Sequence, residues 1–249
     1  MPMSPRLLRP RATGFNPKSI SGLAGWWDAN DSASVTLVSG VVSQWADKSG
    51  NGRHLSQSTG NDRPSYVNTV NGKKVLTFNG ANTVLWLQSN SQSLSSTAGA
   101  TLFYVFRANS DAAFSAFNST ANIGHIDRFS DGNCYAGNLR ATRFSGVASG
   151  LVTSTGVQLL AHRANVSNNT HVLRRNGAEI FSTTSDITAF RSLTTNTFLG
   201  VGASLNSFTP TWVHWLDGDV CEVIAVAQTM SDGMFSACEK YLISKWAAI

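Results

Sequence analysis

The chain has 249 residues, with 19 Lys and Arg against 14 Asp and Glu (net charge +5), 42% hydrophobic residues and 13% charged ones. That balance excludes an intrinsically disordered chain, which combines low hydrophobicity with dense charge. No apolar run approaches the roughly 20 residues of a membrane-spanning helix. Only three glutamates occur, Glu179, Glu222 and Glu239, so the residues that usually build exposed helix faces are scarce and a helical bundle is excluded. Gly, Ser, Thr, Asn and Val dominate instead, which suits short strands joined by many turns.

Residues 1–20 hold Arg6, Arg9, Arg11 and Lys18 and no acid, so four of the five units of net charge sit there. The rest of the chain is nearly neutral, which removes most of the case for a basic nucleic-acid-binding face. Pro2, Pro5, Pro10 and Pro17 fall in the same segment. Each fixes φ and removes a backbone donor, so neither a helix nor an inner strand is expected there. The segment has no apolar core and no small-residue cleavage site, so it does not read as a secretory signal. It reads as an extended docking arm, residues 1–20, ahead of one sandwich domain, 21–249. Arg6, Arg9, Arg11 and Lys18 would pair with acidic groups of a partner, and Leu7, Leu8 and Phe15 would fill its pockets.

Strand and turn signals then alternate almost to the end. Gly22 to Asp28 reads as a first strand, and Val35 to Trp45 as two runs divided by Ser39-Gly40. Asn71-Gly72, Asn79-Gly80 and Asn176-Gly177 suit type I′ hairpin turns. Thr101 to Arg107 is continuously apolar, as expected of a strand covered on both faces. Gln158 to Val166, His171 to Arg175, Ala178 to Thr183, Thr197 to Val201 and Asp219 to Ala227 follow. One helix closes the series over Asp232 to Trp246, with Ser231 as its cap and Phe235, Cys238, Leu242 and Trp246 as one apolar stripe. The pattern predicts an all-β, two-sheet antiparallel jelly-roll sandwich with one C-terminal amphipathic helix and an extended N-terminal arm.

Several motifs recur in a fixed order: Gly25-Trp26-Trp27-Asp28-Ala29, then Gln44-Trp45-x-Asp47-Lys-Ser-Gly-Asn-Gly52-Arg-His54, then Arg63-Pro64, then Val75-x-x-Phe78-Asn79-Gly80. Leu216-Asp-Gly-Asp-Val-Cys-Glu222 and Tyr241-Leu-x-x-Lys-Trp246 complete the series. Together they resemble the laminin-G-like branch of the concanavalin A-like lectin/glucanase superfamily, over about residues 22–247. Modules of this type behind a short Arg/Pro arm resemble structural proteins of tailed phages. The resemblance therefore implies a non-enzymatic virion protein at the particle surface, made in the host cytoplasm. Its foremost form is a capsid decoration or cement protein docked on the major capsid protein or another virion subunit, as a homo-oligomer, with a trimer expected. The alternative is a carbohydrate-binding, host-recognition module of a tail fibre or spike; a glycoside hydrolase is third.

The enzymes of that superfamily place carboxylates at E-x-D-x-x-E or E-x-D-x-E along a strand. Here the nearest approach is Asp217-x-Asp219-x-x-Glu222. Asp217 and Asp219 share a face, but Glu222 stands an odd step away and points to the other side unless a bulge intervenes. No catalytic residue is expected. Asp47-x-Ser49-x-Asn51-Gly52 imitates the first half of a calcium loop, but its twelfth position is Ser58 and Lys48 and Arg53 add positive charge. A hydrogen-bonded Asx turn is the better reading, with at most a weak calcium site and no other cofactor. Cys134, Cys221, Cys238 and the five histidines have no metal-ligand spacing. Trp212, His214 and Trp215 form the candidate carbohydrate-binding stretch, because two indoles bracketing polar groups can stack a sugar ring. Aromatics filling the core or a subunit contact are the competing account of the same residues.

Overall fold

In a computed structural model of the protein, the apolar run Thr101 to Arg107 lies inside the strand Gly99–Ala108. The structure describes residues 14–87, 99–109, 114–119, 123–128, 134–135, 156–165, 167–184, 199–206, 211–213 and 215–248. Gly99–Ala108 is paired on one side with Gln158–Asn165 and on the other with Asp217–Val226, both antiparallel. The sheet continues outward through Thr170–Arg175 and Ala178–Thr184 on one flank, and Leu23–Asp28 and Leu76–Asn79 both pair with Asp217–Val226 on the other. A second, eight-stranded sheet contains Val35–Val38, Val41–Trp45, Leu55–Ser56, Leu85–Leu87 and Leu199–Val201, then Phe114–Ser119, Ile123–Arg128 and Cys134–Tyr135.

Alternation along the strands divides the core into two layers. Trp27, Trp45, Leu76, Phe78, Leu102, Tyr104, Phe106, Leu160, Val220 and Val223 pack together between the sheets. Phe103, Val105, Leu159, Ala161, Cys221 and Ile224 face the other way and pack beneath the helix α1 (Asp232–Trp246). Ser231 caps α1 through Oγ, which accepts from Met234 N, and Phe235, Cys238, Leu242 and Trp246 are buried as the stripe required. The fold is the expected antiparallel sandwich with one C-terminal helix. The thiols of Cys221 and Cys238 are buried and unbridged, and burial pushes both upward in pKa.

Two of the three Asn-Gly pairs make the expected turns. Asn71 (φ 50°) with Gly72 (φ 75°), and Asn176 (φ 50°) with Gly177 (φ 83°), hold the two successive positive φ values of a type I′ hairpin. Asn79-Gly80 differs: the Asn79 side chain accepts from the backbone N–H groups of Ala81 and Asn82 and from Thr83, so a side-chain-organised loop replaces a hairpin. The N-terminal segment also differs from expectation, since Pro17–Ser19 forms one 3-10 turn capped by Asn16.

His162 and His171 lie fully buried on the neighbouring strands Gln158–Asn165 and Thr170–Arg175. Their rings are parallel, with Nε2 of His162 3.1 Å from Nδ1 of His171. Burial lowers the His171 pKa from 6.5 to about 4. The unfolded chain therefore takes up a proton in a range where the folded chain does not, and stability present above about pH 6.5 is lost as pH falls toward about 4. Denaturant titrations over that range should show a loss of up to about 3 kcal/mol, and the acid slope should shrink in His171→Asn.

Candidate functional site

The first strand carries the motif Gly25-Trp26-Trp27-Asp28, and each member has a distinct task. A Cβ at Gly25 would lie 2.2 Å from the Trp27 ring, so only glycine leaves room for that indole. Trp27 turns inward and donates from Nε1 to the Arg53 carbonyl. Trp26 turns outward and donates to Glu222 Oε1 at 2.8 Å. Glu222 is fully buried and accepts three further bonds: Tyr241 OH at 3.0 Å, Lys245 Nζ at 2.6 Å and Trp246 Nε1 at 2.7 Å. Lys245 also bridges to Asp28 at 2.9 Å, and Lys48 closes the group through Asp28 at 3.0 Å and Asp31 at 2.7 Å. Burial and the neighbouring Asp28 charge push the Glu222 carboxyl above the usual carboxylate range, with Lys245 and Trp246 pulling against them. Isolated, either carboxylate would be costly to bury; paired and fully hydrogen-bonded, they fasten the first strand, the last strand and α1 together.

A bulge explains how Glu222 reaches the helix. Val220 pairs with Phe106 and Glu222 with Val105, so Cys221 is the extra residue. Cys221 belongs to the layer beneath α1 and Val220 and Val223 to the layer between the sheets. The odd spacing that would otherwise send Glu222 away from Asp219 is thereby undone. Both acids lie on the outer side of the sheet, yet neither is open. Asp219, 1% exposed, accepts from Arg107 at 2.9 and 2.5 Å and from the Thr77 hydroxyl at 2.6 Å. Asp217 accepts from the Asn109 amide at the surface.

Asp47 organises its loop as an Asx turn. Oδ1 accepts from Trp26 N and Ser49 N, and Oδ2 from Ser49 Oγ and Arg53 N, so all four bonds come from the protein. Among the described residues no group of three or more His, Cys, Asp or Glu could hold a metal ion. Trp212 occupies the short strand Thr211–Val213 opposite Leu205, and Trp215 is half-buried. His214 lies outside the described residues, as do Arg6, Leu7, Leu8, Arg9 and Arg11. Of the remaining arm residues, Lys18 is exposed, whereas Phe15 meets Tyr241 in a tilted ring contact at 5.5 Å and packs with Ile20 on the layer beneath α1. The apolar anchor expected for a partner is thus engaged with the chain's own helix, and the packed body begins ahead of residue 21. Trp26, Trp27 and Trp45 are buried in the core, whereas Trp86 is only half-buried.

A cleft of about 680 Å³ beside the start of α1 has no signature in the sequence. Arg163 and Asn165 from one strand, Asn168 and Thr170 from the following turn, and Gln228 and Asp232 from the link into α1 line it. These polar residues come from segments some 60 positions apart and carry no motif.

Because Glu222 collects four donors, Glu222→Ala should leave Lys245 and two indole N–H groups without their acceptor. A loss of about 3–5 kcal/mol is expected, read as a lowered denaturant midpoint; Asp217→Ala, at the surface, should leave the midpoint nearly unchanged.

No protein-family model matches the sequence, and no curated protein matches it. Solved structures do. Domain 4 of AbnA, a GH43 extracellular arabinanase from Geobacillus stearothermophilus, in complex with arabinotriose, is similar at a TM-score of 0.61 and 14% identity, over 86% of this chain and 96% of that one. The binding domain of Paraclostridial Mosquitocidal Protein 1 gives 0.62 and 14% identity, over 94% of this chain and 56% of that one. An arabinofuranosidase complexed with arabinofuranosyl-alpha-1,2-xylobiose gives 0.61 and 14% identity, over 92% and 60%. The chain thus spans little more than half the length of the last two. At this identity the similarity shows a shared β-sandwich fold.

Proposed function

We propose that the chain is a non-catalytic carbohydrate-binding module. The observation that carries this reading is a sandwich similar, across nearly all of a solved domain, to one held with arabinotriose. The state of the strand carboxylates supports the absence of catalysis. Retaining hydrolysis needs a nucleophile and an acid about 5–5.5 Å apart, both reaching the sugar. Asp219 is locked by Arg107 and Thr77, and Glu222 by four donors beneath α1, so both serve packing. A panel of neutral and acidic oligosaccharides, arabinotriose included, tests the reading with the full chain. Binding at millimolar concentration or tighter, without release of reducing ends, is expected. Sugar release that disappears in Asp219→Asn would instead assign a hydrolase.

A second reading places this module on a phage particle as a decoration or cement protein, and one observation favours it. Arg6, Arg9 and Arg11 fall within six positions and precede the anchored Phe15 by at least four residues. Anchoring at Phe15 gives the cationic stretch a fixed point of departure toward acidic groups on a capsid or tail subunit, with a homotrimer as the assembling unit. Deleting residues 1–13 leaves the packed segment intact; occupancy on purified particles should fall, and undiminished occupancy would reject the docking role.

A further inference from the structure

The cleft beside α1 is chemically matched to a polyhydroxylated, uncharged ligand. Its one strong cation and its one acid neutralise each other: Arg163 Nη1 donates to Asp232 Oδ1 at 2.5 Å and to the Met230 carbonyl at 3.2 Å. The guanidinium is further held over the Phe235 ring at 4.9 Å, so it is fixed in place before any ligand arrives. An anionic ligand would compete with Asp232 for Arg163, and a cationic one with Arg163 for Asp232. A neutral ligand displaces neither.

Three of the remaining lining side chains are amides, each held by one bond. Asn165 Oδ1 accepts from Ser167 N at 3.0 Å, Asn168 Oδ1 accepts from the Thr170 hydroxyl at 2.6 Å, and Gln228 Nε2 donates to the Ser21 carbonyl at 2.6 Å. Among the described residues, the Asn165 and Asn168 NH2 groups and the Gln228 carbonyl oxygen keep no such partner. Fixed donors and acceptors in alternation suit hydroxyl groups, which donate and accept at once. Preorganised polar groups also cost little entropy on binding. The volume, about 680 Å³, lies within the range of small-ligand clefts, roughly 300–1,000 Å³. A second cleft of about 520 Å³ adjoins it at Thr170 and runs over Val172, Ser182 and Thr184 toward the outermost strand of the sheet. Among the described residues, no aromatic ring lines either cleft.

We infer that these joined clefts form the glycan site, taking a neutral oligosaccharide of more than one ring through hydrogen bonds to its hydroxyls, without ring stacking. This rests on the reading of the chain as a carbohydrate-binding module and locates its site away from Trp212 and Trp215. The test uses the full chain on an array of neutral and sialylated oligosaccharides, then calorimetry on the best neutral binder. Asn165→Ala and Asn168→Ala should each weaken binding about tenfold, with unchanged melting temperature and little dependence on salt. Thr170→Arg, placed where the clefts meet, should remove the preference for longer over shorter chains. Trp215→Ala should bind as the parent does. If the parent binds glycan and the asparagine variants bind equally well while Trp215→Ala does not, the site lies elsewhere and only the module reading survives. Binding confined to acidic glycans and suppressed by salt would overturn the neutral ligand. Absence of binding to any glycan would overturn both readings.

Discussion

One buried carboxylate organises the protein. Glu222 gathers two indole N–H groups, a tyrosine hydroxyl and a lysine ammonium from the first strand and the last helix. A charge in a protein interior is tolerated only when its lone pairs are filled by well-placed donors, so the side chains that fill them must share one geometry. The first strand therefore has to sit against Asp217–Val226 in a single register, and α1 has to present Tyr241, Lys245 and Trp246 on one side. Hydrophobic burial holds the layers together; this cluster fixes how they meet.

The same economy of acids shapes the outer face of the sheet. The buried acids around the last strand are committed: Asp28 to two lysines, Asp219 to arginine and threonine, Glu222 to Trp26 and α1. Such sites resemble catalytic pairs in sequence but have no open lone pair to offer a substrate. The amide side chains at the edge of α1 are each held by a single side-chain hydrogen bond and line the cleft there.

Much of the fold was legible where local rules and the global structure agree. Asn71-Gly72 and Asn176-Gly177 demanded positive φ and obtained it, Thr101 to Arg107 carried apolar residues for two layers, and the stripe from Phe235 to Trp246 marked a covered face. Leu55–Ser56 and Leu85–Leu87 were not legible, because two or three residues are too few to display a period. The partnership of Glu222 with α1 was hidden for another reason: a bulge changes the facing of a side chain without changing its neighbours in sequence. The cleft was hidden because Asn, Thr and Gln are everywhere in this chain, and only the return of the chain from Gln228 to Asp232 beside the 165–170 turn gives those six their meaning.

The pairing of Leu23–Asp28 with Asp217–Val226 has a consequence for how the molecule is made. The strand Asp217–Val226, which lies between Leu23–Asp28 and Gly99–Ala108, is synthesised after both, nearly 200 positions beyond the first. Until it arrives, those two strands have an unfilled gap between them, with apolar edges exposed to other nascent chains. Contacts so remote in sequence make for slow closure and a window of vulnerability to aggregation. Productive folding of this sandwich thus depends on delivery of its C-terminal quarter, and truncation there would cost the whole seven-stranded layer rather than one edge.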